Sequence, residues 1–300
     1  MARSSTAGVA VASPARRAST YLYQHAKTRL RLLIAAPVAW LGLVYIASLL
    51  MLLVTALWTV DEFTGETKVV WNLDNVFSLF TDSLYTTVTL RTVGIALAVT
   101  VIDVLLALPV AFFMSKVAGP RLRNILAISV LLPLWASYLV KAYAWRSVLS
   151  NKGVLQWVLE PFGLHSPGYS LLGASLTLGY MWLPYVILPI YAGLEKVPNN
   201  LLEASSDLGA GTFTTIRRVI MPILLPSIIA GSIFAFSLTL GDYITINIVG
   251  GASQMLGNLI YTNVGTANNL PMAAALALIP IGIMFAYLGA VKRTGALDSL

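Results

Sequence analysis

Six stretches of this chain are apolar for long enough to cross a bilayer, at 32–58, 84–115, 125–149, 171–194, 223–249 and 271–291. About 20 helical residues cover the roughly 30 Å of hydrocarbon in a membrane. The runs therefore predict an all-α polytopic membrane protein with six transmembrane helices. The composition agrees: 58% of the 300 residues are hydrophobic and only 10% are charged, too apolar a balance for a soluble domain of this size. Pro37, Pro109, Pro133, Pro184 and Pro280 fall inside the runs. A membrane helix tolerates proline when neighbouring helices or waters satisfy the freed carbonyl, so these are expected to kink the spans without ending them.

Orientation follows from where the 19 Lys and Arg fall, because short cytoplasmic segments are enriched in them. Arg3, Arg16, Arg17, Lys27, Arg29 and Arg31 precede the first span. With alternate crossing, Lys116, Arg121, Arg123, Lys196, Arg217, Arg218, Lys292 and Arg293 share that side, so both termini are expected in the cytoplasm. The first outer loop has the opposite balance, with Asp61, Glu62, Glu66, Asp74 and Asp82 against Lys68. Membrane topology thus accounts for the net charge of +7, and no nucleic acid is called for.

The chain divides into a basic cytoplasmic tail at 1–30, a first transmembrane anchor at 31–60 and a core at 81–292 that contains a polar loop at 196–221. The tail is rich in Ala, Ser and Arg and reads as disordered. The first apolar run ends in the bulky Leu57 and Trp58, which suits a retained anchor and not a cleaved signal. There is no cysteine, which excludes disulfides, thiolate metal sites and cysteine nucleophiles. His25 and His165 fall on opposite sides of the membrane and cannot share a metal, so no metal site is expected.

The polar loop carries the most information. Pro198, Asn199 and Asn200 supply helix-start chemistry, and Leu201, Leu202, Ser205 and Leu208 are expected on one side of a short helix. Gly209 and Gly211 break it, since glycine takes positive φ without penalty. A second short helix is expected over 212–220, with Pro222 leading into the next span. Such a loop either docks a protein or lies on lipid headgroups with Arg217 and Arg218 toward anionic lipid. Its acidic polar face favours the first.

Glu203, Ala204 and Ser205, then Gly209 six positions after the Glu, then Val219, Ile220, Met221 and Pro222 resemble the coupling loop of binding-protein-dependent ABC permeases. The motif there runs Glu-Ala-Ala, three residues, Gly, nine residues and Ile-x-Leu-Pro. This chain keeps the spacing and differs at Ser205, Val219 and Met221. The resemblance implies the ABC importer type I permease fold in the bacterial cytoplasmic (inner) membrane. It also implies that Glu203, Ala204, Ser205, Asp207, Leu208, Gly209 and Pro222 form an ATPase-coupling loop, with Glu203 and Asp207 as polar contacts. The implied partners are an ATP-binding cassette ATPase dimer, a second permease subunit that is a shorter homologue, an extracytoplasmic solute-binding protein and membrane lipid. No cofactor is implied for this chain, because ATP and Mg are used by the partner ATPase.

The likeness covers roughly 81–292, and the passages at 132–155, 180–198 and 238–251 are similar to spermidine and putrescine permeases. Those more often have Gly-Glu-Phe where Gly241, Asp242 and Tyr243 stand here. The resemblance therefore implies a polyamine carried inward by alternating access. The same family imports ferric iron, thiamine, opines and phosphonates, which are the alternative cargoes.

A carboxylate at the centre of a membrane helix costs about 2.5–3.5 kcal/mol on insertion scales and asks for a partner or a wet path. Asp103 is such a residue, in a small and polar stripe with Thr92, Ala96, Thr100 and Ala107 that suits either a cavity or close packing. Asp242 is expected near the outer end of the fifth span. Polyamines join ammonium groups by methylenes, which aromatic rings can hold. Trp135, Tyr138, Trp145, Tyr185 and Tyr243 are accordingly candidates for the path, along with Asp103 and Asp242. Lys141 and Arg146 are expected to snorkel or to pair with Asp242.

A secondary carrier would show repeated halves with broken helices at matching positions, and no such repeat is visible. An enzyme would need an assembled nucleophile, metal cluster or acid–base pair. There is no His-Glu-x-x-His pattern, Gly-x-Ser-x-Gly elbow or phosphate-gripping Gly-x-x-x-x-Gly-Lys loop. The chain is thus expected not to hydrolyse ATP itself.

Overall fold

Continuous apolar sequence gives continuous helix along most of the chain in the computed structural model, which describes residues 23, 25–61 and 63–293. The tail expected at 1–30 lies largely outside these residues. Helix α1 (Ala26–Thr55) carries Pro37 without ending and belongs to a unit of its own. Apolar side chains such as Leu33, Trp40 and Leu43 are exposed along it.

The remainder forms the second unit. It opens with a hairpin absent from the all-α expectation, β1 (Thr59–Val60) against β2 (Thr67–Lys68), with Thr59 opposite Lys68. Asp61 closes this turn by accepting from Lys68 and from the amides of Phe63 and Thr64. These partners, Lys68 first, hold its carboxyl well below the usual carboxylate range. Helix α2 (Asp74–Thr81) leads to α3 (Ser83–Phe112), whose first turn is capped by the Asp82 carboxylate accepting from the Leu84 amide at 2.8 Å. Pro109 lies within α3, which runs on as a π-turn (Phe113–Val117) closed by Ala118 N–H to the Phe113 carbonyl.

The run at 125–149 is not one straight helix. It forms α4 (Pro120–Trp135) and α5 (Tyr138–Leu149), which meet at 98°. Ala136 and Ser137 between them are extended. Pro133 sits in the last turn of α4, where its missing N–H already deprives the helix of one bond. After α6 (Val154–Leu159) and a single 3₁₀ turn (Glu160–Phe162), α7 (Leu171–Glu195) keeps both Pro184 and Pro189 inside it. Helix α8 (Asn199–Asp207) and α9 (Thr212–Thr215) follow.

The second short helix expected over 212–220 is not separate. Helix α9 passes through a second π-turn (Ile216–Ile220) straight into α10 (Met221–Leu240), and Thr212–Leu240 forms one span. The fifth apolar run in turn stops at Leu240, and α11 (Ile244–Val249) stands apart from it. Helices α12 (Leu256–Gly265) and α13 (Leu270–Arg293) complete the chain, with Pro280 inside α13. Five described helices are long and apolar enough to cross a membrane, or six spans if the bent α4–α5 pair makes one.

Helix α7 is the centre of the core. It packs against α3 and α10, and Leu178, Met181, Val186, Ile190 and Leu194 are buried between them. Lipid tails are as apolar as leucine, so such helices associate by close packing of small residues. Gly231 of α10 shows this, because a Cβ there would lie 3.1 Å from the Val186 Cα. Gly231→Leu should force α10 off α7 and cost about 1–3 kcal/mol, the usual penalty of overpacking. A lowered melting midpoint in detergent would report it, with Gly282→Leu, where space is open, as the unchanged control.

Candidate functional site

The polar loop is built to project side chains outward. Helix α8 has Pro198 at its N-cap, whose ring offers no side-chain acceptor, and the carboxamide of its first residue, Asn199, accepts from the Lys116 ammonium at 3.2 Å. The helix ends in a Schellman turn: Gly209 has φ +74°, its N–H bonds the Ser206 carbonyl, and the Ala210 N–H bonds the Ser205 carbonyl. Nothing lies within 4 Å of a Cβ at Gly209, so its requirement for glycine is conformational and not steric. Ser205 is buried, and its hydroxyl meets that of Thr215 at 2.8 Å, which ties α8 to α9.

Glu203, Ala204 and Asp207 are exposed. Leu208 is 88% exposed and Phe213 74%. Of Leu201, Leu202, Ser205 and Leu208, expected on one side, only Leu202 and Ser205 are covered by the protein. Leu202 and Ser205 face inward, whereas Leu208 follows the last helical residue and turns out with the Gly209 reversal. Phe213 escaped the sequence reading, although a lone aromatic in a polar stretch after two glycines was a visible signal. Pro222 sits in the first turn of α10.

The loop is also anchored at its base by residues that the sequence assigned only to topology. The Ser115 hydroxyl, in the π-turn after α3, donates to Glu195 at 2.8 Å. Arg123 of α4 donates to the Ser115 carbonyl at 2.9 Å and approaches Glu195 at 3.5 Å. Lys116 donates to the Val197 carbonyl at 2.7 Å as well as to Asn199.

At the other end of the bundle the two breaks in the apolar runs meet. Asp242 is 7% exposed and follows α10. The Tyr138 hydroxyl, at the start of α5, donates to its carboxylate and lies 2.5 Å from the Thr245 hydroxyl. The Thr245 amide donates to the same carboxylate at 2.8 Å, so Asp242 caps the first turn of α11. Gly257 packs on the Asp242 carbonyl, where a Cβ would overlap it. Asp242 thus pairs with neither Lys141 nor Arg146. Tyr138 and Thr245 fill its oxygens, while Arg146 lies over the Tyr169 ring at 5.2 Å.

Four rings from three helices form a row: Tyr138 to Trp182 at 5.9 Å, Trp182 to Tyr185 at 5.9 Å, and Tyr185 to Phe234 at 6.4 Å. Tyr138 and Tyr185 were expected as candidates; Phe234 was not. The other aromatic candidates are elsewhere. Trp145 meets Tyr180 at 5.4 Å, Tyr243 stacks on Tyr261 at 4.8 Å, and Trp135 is 89% exposed beside the bend.

Asp103 is 1% exposed, and neither carboxylate oxygen has a hydrogen-bond partner among the described residues. It faces α7, where a Cβ on Gly179 would stand 3.1 Å from its Oδ1. Thr92, Ala96, Thr100 and Ala107 of its stripe are buried as well, so this is a packing face with one unpaired acid in it. Among the described residues, no three His, Asp or Glu side chains are grouped to hold a metal.

Residues 93–292 match the family model described as the binding-protein-dependent transport system inner membrane component. The chain is 41% identical over 299 residues to the inner membrane ABC transporter permease protein YdcU of Escherichia coli strain K12, covering 95% of each. It is 35% identical to the spermidine/putrescine transport system permease protein PotB of Haemophilus influenzae, over 69% of this chain and 73% of that one. Among solved structures, its fold is like that of a chain of a bacterial ABC transporter for the acidic polysaccharide alginate. The TM-score is 0.66 at 16% identity, covering 92% of this chain and 99% of that chain.

A hydrogen bond to a charged acceptor contributes about 1.5–3 kcal/mol. Tyr138→Phe should lower the melting midpoint in detergent by that order, and so should Asp242→Asn. The double variant should cost clearly less than the two together, since Tyr138→Phe removes and Asp242→Asn weakens the same contact.

Proposed function

Because the chain belongs to the family of binding-protein-dependent transport system inner membrane components and is a permease subunit of an ABC importer, we propose that its cargo is a polyamine. It is a multi-pass inner membrane protein and not itself an ATPase. The observation that carries its coupling role is the outward pair Leu208 and Phe213, presented by the positive-φ turn at Gly209 and flanked by Glu203 and Asp207. An apolar knob with an acidic rim suits a cleft on an ATP-binding cassette dimer better than an anionic headgroup layer. The positive-inside balance supports a cytoplasmic position for this loop and both termini.

The polyamine reading is supported by the named spermidine/putrescine permeases among the relatives and by the chemistry of the core. Asp103 offers an unpaired acid at mid-bundle, and the row from Tyr138 to Phe234 offers ring faces for ammonium groups and methylenes. Trp135, Trp145 and Tyr243 stand apart from this row and are kept in this reading only as further candidates for the path. Asp242, with its oxygens filled by Tyr138 and Thr245, acts as the clasp of the outer gate and not as a free counter-charge.

In the working cycle, ATP closure of the cassette dimer draws in the loop around Glu203 to Gly209 and rotates the bundle outward to accept solute from an extracytoplasmic binding protein. Hydrolysis returns it inward. The second permease subunit is a shorter homologue, and the pair encloses the path. Ferric iron, thiamine, opine or phosphonate import by the same machine is the competing reading of the cargo.

Uptake of labelled spermidine and putrescine by cells expressing this chain with its neighbouring transporter genes tests the cargo. Polyamine should enter with ATP and resist competition by the other solutes; entry of one of those alone would overturn the polyamine reading. Asp103→Asn should lower polyamine uptake about tenfold, the size of one good contact, and unchanged uptake would remove Asp103 from the path. Gly209→Leu should leave the chain in the membrane while separating ATP hydrolysis from uptake. Normal uptake by that variant would sink the coupling-loop assignment.

A further inference from the structure

The chain joins the loop to α7 at its start and to α10 at its end, and side chains give it a third attachment. Through Thr212–Leu240 any movement of α8 reaches α10 along the chain, helped by the Ser205 to Thr215 contact. No comparable chain continuity ties the loop to α3, because α4 to α7 intervene. The tie is made by side chains. Lys116, in the π-turn at the end of α3, grips the Val197 carbonyl and the Asn199 carboxamide, which are the last residue but one before α8 and its first residue. Ser115 beside it holds Glu195, and Arg123 spans both.

We infer that Lys116 is a positioning residue that drives α3 from the coupling loop, so that the loop moves α3 as well as the helices its own chain runs into. Three features make it a transmission element and not a surface decoration. Ser115 and Val197 are buried at 4% and 1% exposure, so the junction is packed as well as bonded. Lys116 uses two acceptors on one short segment, which fixes the direction of α8 as well as its distance. Both helices so linked enter the loop region through π-turns, Phe113–Val117 and Ile216–Ile220, which hold an extra residue per turn and often mark functional sites. The Glu195 to Arg123 pair is partly exposed, at 40% and 34%, and surface pairs of this kind contribute little to stability. Its value lies in aligning Ser115 and Glu195.

The inference rests on the coupling-loop reading, and the test separates the two. The full transporter, with its ATPase and second permease, is purified and placed in liposomes, and polyamine uptake and ATP hydrolysis are measured together. Lys116→Met should retain the ATPase on copurification and keep hydrolysing ATP, while uptake per ATP falls by about fivefold or more, the low end of an allosteric coupling. Lys116→Arg, which preserves the charge and the donors, should restore most of the ratio, as a merely structural role would not require. Asn199→Ala, which removes one acceptor and leaves Val197, should give an intermediate loss even if Lys116→Met fails to assemble. If Gly209→Leu uncouples while Lys116→Met and Asn199→Ala keep the normal ratio, the α3 link is wrong and the loop assignment stands. If Gly209→Leu also keeps the normal ratio, the loop assignment falls and the link with it.

Discussion

Every backbone polar group inside hydrocarbon needs a partner supplied by the protein, and this structure is arranged around that demand. Long helices meet it by themselves. The two places where apolar sequence stops being helical, Ala136 and Ser137 between α4 and α5 and the stretch from Gly241 to Tyr243 after α10, cannot. Side chains join the two breaks. Tyr138 from one break donates to Asp242 of the other, and the same carboxylate takes the free Thr245 amide at the start of α11. A charged side chain in this position serves backbone geometry first.

This pairing explains why two acids with similar sequence settings differ in structure. Asp242 follows a helix end, where free N–H groups of the next helix wait for an acceptor, and it becomes a cap. Asp103 lies in the middle of α3, whose backbone is already satisfied, and small Gly179 opposite leaves its carboxyl room without giving it a donor. Burial without a partner is costly and persists where function repays it. The unpaired acid is therefore the better candidate for meeting a cation, and the capped one for holding a gate.

The spans and the loop were legible because each rests on a local signal: hydrophobic length for the helices, and the Glu203, Gly209 and Pro222 spacing for the loop. Pro109, Pro184 and Pro280 were readable as internal, since apolar sequence continues for more than a turn beyond each. Pro133 was not, because the helix ends two residues later for a reason written elsewhere, in Tyr138 reaching Asp242 across 104 positions. Ser205 looked like a conservative replacement in a motif and is in fact the hydroxyl that ties α8 to α9. Lys116, Arg123 and Glu195 were hidden for the same reason as Tyr138. Their partners across the loop lie 72 to 83 residues away, and a basic residue beside a span already had a sufficient explanation in topology.

The two ends of the bundle also differ in how rigidly they are closed. The Asp242 clasp is buried and gathers the Tyr138 hydroxyl, the Thr245 hydroxyl and the Thr245 amide on one carboxylate, so opening it means breaking several bonds at once. The clasp at the loop end sets the buried Ser115 and Val197 beside the partly exposed pair of Arg123 and Glu195. On the proposed coupling reading, a pull on α8 passes through the Lys116 junction, and the closure where α5, α10 and α11 converge yields only when its several bonds break together. Helices α3 and α10 run between the two ends and both pack on α7, the most buried helix of the core. Displacing them together against α7 changes the surroundings of Asp103 and of the ring row in one movement, which turning either helix alone would not do.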